Sequence, residues 1–194
     1  MIMQLKINEP IESMNRKIKI LAVSGGIRPT STNALLVKEI QKWAPAHVTF
    51  NIYEGLATLP AFDDGEASET VNEWRRQLVE ADGVLICSPE YAFGVPGALK
   101  NAIEWTVRSS ELVNKPLALI TAASGGDKAH AAWLQIFSAL SANIPEGGAL
   151  LIPFIRTKFN QKGEVSDVAT KEAILNTLQA LIQTIEQKAS AANL

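Results

Sequence analysis

Unbroken apolar runs alternating with stretches of helical periodicity constrain this chain more than any other feature. The runs lie at 18–23, 48–53, 83–87, 116–122 and 149–152. In three of them (ILAV, VLIC, LALI) the apolar residues are continuous rather than alternating, the pattern of strands covered on both faces. Helical patterns fill 31–43, 68–80, 96–107, 127–140 and 167–187. Strand and helix repeating in this way imply right-handed crossovers and a parallel sheet with helices on both faces. The predicted fold is a doubly wound α/β domain with five strands. At 194 residues and 47% apolar content the chain suits one such unit with a sizeable core. Residues 1–16 read as a flexible tail, 17–188 as the domain and 189–194 as a frayed end.

Charge and composition exclude several function classes. A net charge of −2 gives no general attraction to nucleic acid or anionic membranes. The single cysteine, Cys87, cannot form an internal disulfide, and two histidines, His47 and His130, are too few for the usual zinc cluster. A reducing, cytoplasmic setting fits this usage. The first fifteen residues hold no long apolar stretch, so no signal peptide is expected. No later run approaches the roughly 20 apolar residues of a membrane span.

Open parallel sheets bind ligands at the carboxyl ends of their strands. Three loops leave those ends, at 24–30, 88–95 and 123–126. The first opens the segment SGGIRPTSTN, with Ser24, Gly26, Arg28, Ser31, Thr32 and Asn33. It is neither a Walker loop nor a G-x-G-x-x-G fingerprint. The helix that follows has no acid before Glu39, whereas the second, fourth and fifth helices open near Asp63, Asp64 and Glu66, Asp127 and Asp167. An unneutralised helix start beside Arg28 favours a bound anion such as a phosphate. The same residues also describe a glycine turn with Ser31 as an ordinary N-cap and a solvated arginine.

The second loop reads PEYAFGVP, with Tyr91 and Phe93 where a planar ligand can stack or where the rings can pack on the sheet. The helix behind it also lacks an early acid. The third, ASGGD, lets backbone approach a ligand closely, with Ser124 as a polar partner, or is a simple tight turn. Hydrolysis is poorly served: there is no G-x-S-x-G elbow, and both histidines fall away from the loops. Cys87 reads as a buried small hydrophobe. The acidic stretch from Asp63 to Glu66 suits either a metal or a turn. A site this poor in acid–base groups suits a cofactor that carries its own chemistry.

SGGIRPTSTN followed at the right distance by PEYAFGVPGALKNAIEW resembles the NADPH-dependent FMN reductase family, flavodoxin-like quinone, azo-dye and chromate reductases. The resemblance implies strand order 2-1-3-4-5, FMN and NADPH or NADH as cofactors, and a small electron acceptor as the partner. By position, Arg28, Ser31 and Asn33 resemble phosphate-binding side chains. Pro89, Glu90 and Tyr91, with backbone through Ala92, Phe93 and Gly94, resemble the loop along the isoalloxazine. Ser124, Gly125 and Gly126 resemble the loop on its other side. No catalytic side chain is assigned. Gly26, Ala92 and Gly94 stand where the family commonly has serine, asparagine and serine. These departures motivate an alternative, a flavodoxin-like binding or electron-carrier module without reductase activity of its own.

The fourth helical stretch carries Trp133, Ile136, Phe137 and Leu140 on one face, with Ala131, Leu134 and Ala139 elsewhere. A helix apolar nearly all round asks for cover on both sides. With Trp105 outside the inward stripe of its own helix, this predicts a homodimer or homotetramer, as the resemblance also implies.

Overall fold

The computed structural model describes residues 17–191, so the expected tail over 1–16 lies outside the described residues. The elements are β1 (Ile18–Ser24), α1 (Thr32–Trp43), β2 (Val48–Tyr53), α2 (Glu69–Glu80), β3 (Gly83–Ser88), α3 (Gly97–Glu104), β4 (Leu117–Ala122), α4 (Asp127–Ala139), β5 (Ala149–Ile152) and α5 (Val168–Ala191). All neighbouring strands pair in parallel in the order β2-β1-β3-β4-β5, the doubly wound topology expected. The central strands β3 and β4 are buried at every residue, while the edge strand β2 partly alternates, as coverage on two faces versus one dictates.

Successive strand residues point to opposite faces, so the sheet builds two cores. On one, Ile20, Leu85 and Ile120 meet Leu36 and Ile40 of α1 and Leu181 and Ile185 of α5. On the other, Leu21, Ile86 and Leu119 meet Trp74 of α2, Leu99 and Ile103 of α3, and Trp133 and Phe137 of α4. Each buried aliphatic or Phe side chain contributes about 1.5–3 kcal/mol of transfer free energy. The two large indoles are tethered as well as buried. Trp74 Nε1 donates to Ala102 O at 2.8 Å, and Trp133 Nε1 donates to Ser88 Oγ at 2.7 Å.

Two helix ends and the setting of Trp105 differ from the sequence reading. Helix α3 stops at Glu104 rather than 107, because Arg75 captures the Trp105 carbonyl with Nε at 3.0 Å and Nη2 at 2.7 Å. Thr106 and Val107 then close tighter i→i−3 bonds to Ile103 and Glu104. Helix α5 continues through Ala191, so residues 189–191 are helical where fraying was expected; the remainder of that segment lies outside the described residues. Trp105 is buried within its own chain. Its ring packs edge-on to Phe62 and its Nε1 donates to Pro60 O at 2.9 Å, so it lends nothing to assembly.

Candidate functional site

Loop one leaves β1 at Ser24 and enters α1 at Thr32. Gly25 N donates to Cys87 O, tying the loop to the end of β3. Ser31 caps α1 by accepting from Ala34 N at 3.1 Å, and its hydroxyl donates to Gly26 O at 3.3 Å. A β-carbon at Gly26 would sit 2.5 Å from Ser31 Oγ and 2.8 Å from its Cβ, so any larger residue there would have to displace the Ser31 cap. Among the described residues the backbone N–H groups of Thr30, Thr32 and Asn33 meet no acceptor, and while the Arg28 carbonyl accepts from Ser31 N at 2.8 Å, the Arg28 guanidinium has no ionic or hydrogen-bonding partner. The first turn of α1 contains no acid.

Asn33 is buried at 3% exposure. One N–H of its carboxamide donates to Ala122 O at 3.0 Å, locking α1 to the end of β4, and its Oδ1 has no partner. An oxygen accepts only, so this atom suits a hydroxyl or water donor and not a phosphate oxygen.

Loop two is a two-residue hairpin: Tyr91 N donates to Gly94 O at 3.0 Å and Gly94 N to Tyr91 O at 2.9 Å. Its central residues Ala92 and Phe93 take φ of 49° and 58°, the mirror-image turn that asparagine and glycine favour. Tyr91 and Phe93 are exposed, as stacking on a ligand rather than on the sheet requires. Pro89 is buried, and Pro96 caps α3 without a side-chain hydrogen bond; the first turn of α3 again lacks an acid.

Glu90 bridges two of the loops. Its carboxylate accepts from Gly126 N at 3.3 Å and Ala129 N at 3.0 Å, capping α4 and joining loop two to loop three. The sequence carried one trace of this, a Gly-Gly helix start with no local capping side chain. Gly126 itself has φ of 108°, and a β-carbon there would strike Leu151. Ser124 and Gly125 are exposed.

The arrangement separates two kinds of helix start. Helices α2, α4 and α5 are met by Glu69, by Asp127 with Glu90, and by Asp167 accepting from Thr170 N. Helices α1 and α3 keep their positive ends. Both of those ends face one cavity of about 360 Å³, lined by Gly25, Arg28 and Ser31 together with Tyr91, Pro96 and Gly97. A separate open groove of about 740 Å³ along β2 and α2 shares no residue with the three loops.

The cysteine and the two histidines stand apart from the three loops' chemistry. Burial pushes the Cys87 thiol far above its ordinary range, leaving it inert. His130 is lowered by burial and bonded to Thr121 Oγ1 at 2.9 Å, within α4 rather than at the loops. His47 lies beside Glu186, away from all three. The acidic stretch is a turn: Asp63 Oδ1 accepts from Gly65 N, and no group of metal-ligating side chains occurs among the described residues.

A five-stranded 2-1-3-4-5 sheet with two unneutralised helix starts over one cleft defines a flavodoxin-like nucleotide-binding domain. Residues 18–157 match the model of the NADPH-dependent FMN reductase family, and the chain belongs to that family. It is 31% identical over 185 residues to a quinone reductase of Escherichia coli K12, covering 90% of this chain and 98% of that one. It is 30% identical to NADH-dependent flavin reductase subunit 2 of Lactobacillus johnsonii, covering 88% and 98%. The flavoenzyme NAD(P)H:(acceptor) oxidoreductase FerB from Paracoccus denitrificans shares the fold, with TM-score 0.71, 24% identity and coverage of 88% and 98%. The chain is thus an oxidoreductase whose cofactors are FMN and a nicotinamide nucleotide.

Proposed function

We propose that this protein reduces small planar acceptors of the quinone or free-flavin type, holding FMN across the three loops and drawing electrons from NADPH or NADH. Azo compounds and chromate are further candidate acceptors on the same reading. The observation that carries it is the cleft between the starts of α1 and α3, the two helices with no acid in their first turn. The unpaired N–H groups of Thr30, Thr32 and Asn33, with Arg28 and the Ser31 hydroxyl, fit a phosphate monoester. The orphan Oδ1 of Asn33 fits a hydroxyl donor beside it.

The chemistry a bound flavin supplies is two-electron exchange between a reduced nicotinamide and a second acceptor. The chain's contribution is to bind, orient and exclude water. The hairpin from Tyr91 to Gly94 forms one wall, and Ser124, Gly125 and Gly126 form the other. The Glu90 carboxylate fixes the spacing between the two walls, since it belongs to one loop and hydrogen-bonds the next. No side chain is assigned as an acid or base.

The protein works as a homodimer or homotetramer in the cytoplasm. Leu134, Ala131 and Ala139 on the outer face of α4 support association, being exposed on the single chain. No helix among the described residues is long and apolar enough to cross a membrane.

An absorbance titration with FMN, followed by anaerobic NADPH, tests the reading. Flavin bands that co-elute with the protein and bleach on NADPH are the expected result. Failure of FMN to bind in excess refutes it and favours a binding module without reductase activity. Sedimentation showing only a 21.0 kDa species at micromolar concentration refutes the assembly.

A further inference from the structure

The chain contains six Phe, two Tyr and four Trp, and among the described residues only three of these rings are exposed. They are Phe93 at 82%, Phe154 at 66% and Tyr91 at 55%. Tyr91 and Phe93 belong to loop two, after β3; Phe154 follows the end of β5 at Ile152. All three therefore stand on the carboxyl edge of the sheet, where the site lies.

Phe154 is the unexplained member. Its φ of 52° and ψ of 36° lie in the left-handed region, where an aromatic residue is strained. The strain is held by four surrounding bonds. Phe154 N donates to Ser124 O at 3.2 Å, Ile155 N to Ala123 O at 3.1 Å, and Thr157 donates to Phe154 O through both N and Oγ1 at 2.9 Å. The neighbouring Ile155 goes into the core. The backbone thus anchors itself to loop three while turning an apolar ring outward, and among the described residues that ring belongs to neither core. Loop three is in turn bonded to loop two through Glu90, so Phe154 belongs to the same connected rim as Tyr91 and Phe93.

We propose that Phe154 is a specificity-determining residue that selects flat, conjugated electron acceptors by stacking on them at the mouth of the cleft. The inference rests on the function proposed above. An aromatic face rewards a planar ring in offset or edge contact and offers nothing to a compact octahedral ion. The strained backbone holds Phe154 beside Ser124, on the rim of the cleft, with its ring exposed.

The test uses FMN-loaded protein and the variants Phe154→Ala, Phe154→Gly and Phe154→Trp. One readout is the ratio of kcat/KM for 2-methyl-1,4-naphthoquinone to that for ferricyanide. A second is the Kd of redox-inert 2-naphthoate by fluorescence quenching. Alanine and glycine should lower the ratio and weaken naphthoate roughly two- to tenfold, with tryptophan retaining both. Glycine should also raise Tm, separating loss of the ring from loss of structure. An unmoved ratio and Kd overturn the proposal, as does an equal fall for both acceptors. A sedimentation shift accompanying the loss also overturns it, because the ring would then be a subunit contact. If the wild-type chain takes up no FMN, the functional reading falls and this inference with it. If it loads and is reduced by NAD(P)H while the ratio stays put, this inference alone falls.

Discussion

Replacing Ala92 and Phe93 together by Asn and Gly should stabilise the protein while leaving its contacts intact. Both residues sit at positive φ, 49° and 58°, in the Tyr91–Gly94 hairpin. A residue with a β-carbon held there costs about 1–2 kcal/mol. Asparagine at 92 recovers part of this through local hydrogen bonding, and glycine at 93 escapes it but returns about 0.5–1 kcal/mol as unfolded-state entropy. Both side chains are exposed, so no core packing is lost, and the Tyr91–Gly94 hydrogen bonds involve neither of them. The net gain is about 1–2 kcal/mol. For 194 residues, at about 2–4 °C per kcal/mol, Tm rises by about 2–8 °C. Thermal unfolding followed by circular dichroism on flavin-free protein measures this. Gln179→Gly, exposed on α5, serves as the control and should lower Tm through helix propensity. A Tm for the hairpin variant at or below wild type refutes the argument that this turn stores strain.

Arg28→Ala should weaken FMN binding by at least about tenfold, the scale of one lost charge-assisted contact; unchanged affinity in a fluorescence titration removes its phosphate role. Glu90→Gln should cost about 0.3–1 kcal/mol of stability, measured by urea unfolding, and the loss should shrink in high salt because it is a helix-dipole effect. Trp133→Phe should cost about 1–3 kcal/mol in the same assay by leaving Ser88 Oγ without its buried indole donor. Alkali should destabilise the fold in two stages. Burial raises the Cys87 thiol above its ordinary 9.0 and the Tyr53 phenol from 10.0 to about 12, so the unfolded chain releases these protons first. The urea midpoint should hold up to pH 9 and then fall, continuing to about 12 through Tyr53, and Cys87→Ala should delay the onset; no change of onset in that variant would refute the thiol's part.

The three departures from the family pattern carry different physical weight. At Gly94 a β-carbon would meet only Tyr91 O at 3.6 Å, so serine is admissible there. Ala92 occupies a conformation that asparagine tolerates better. At Gly26 any larger residue would have to displace the Ser31 cap. The missing hydroxyl at that position is therefore part of this chain's own turn, whereas the other two are reversible without rebuilding the loop.

Sequence by itself determined the strands, the helices and the chemical poverty of the cleft. Continuous runs such as ILAV and VLIC record two-sided burial, which is a local property of each strand. The absence of acids at two helix starts is likewise visible in order along the chain. Tertiary structure alone decided which groups are spent and which are free. Asn33 reaches across 89 residues to Ala122, Glu90 across 36 to Gly126, and Trp105 across 45 to Pro60. A side chain's periodicity does not encode a partner at that separation, so the bond from Asn33 to Ala122 is invisible in the sequence and Trp105 reads there as an unpartnered face. Phe154 escaped for the same reason: its exposure follows from a backbone turn held by loop three, which meets it only once β4 and β5 lie side by side.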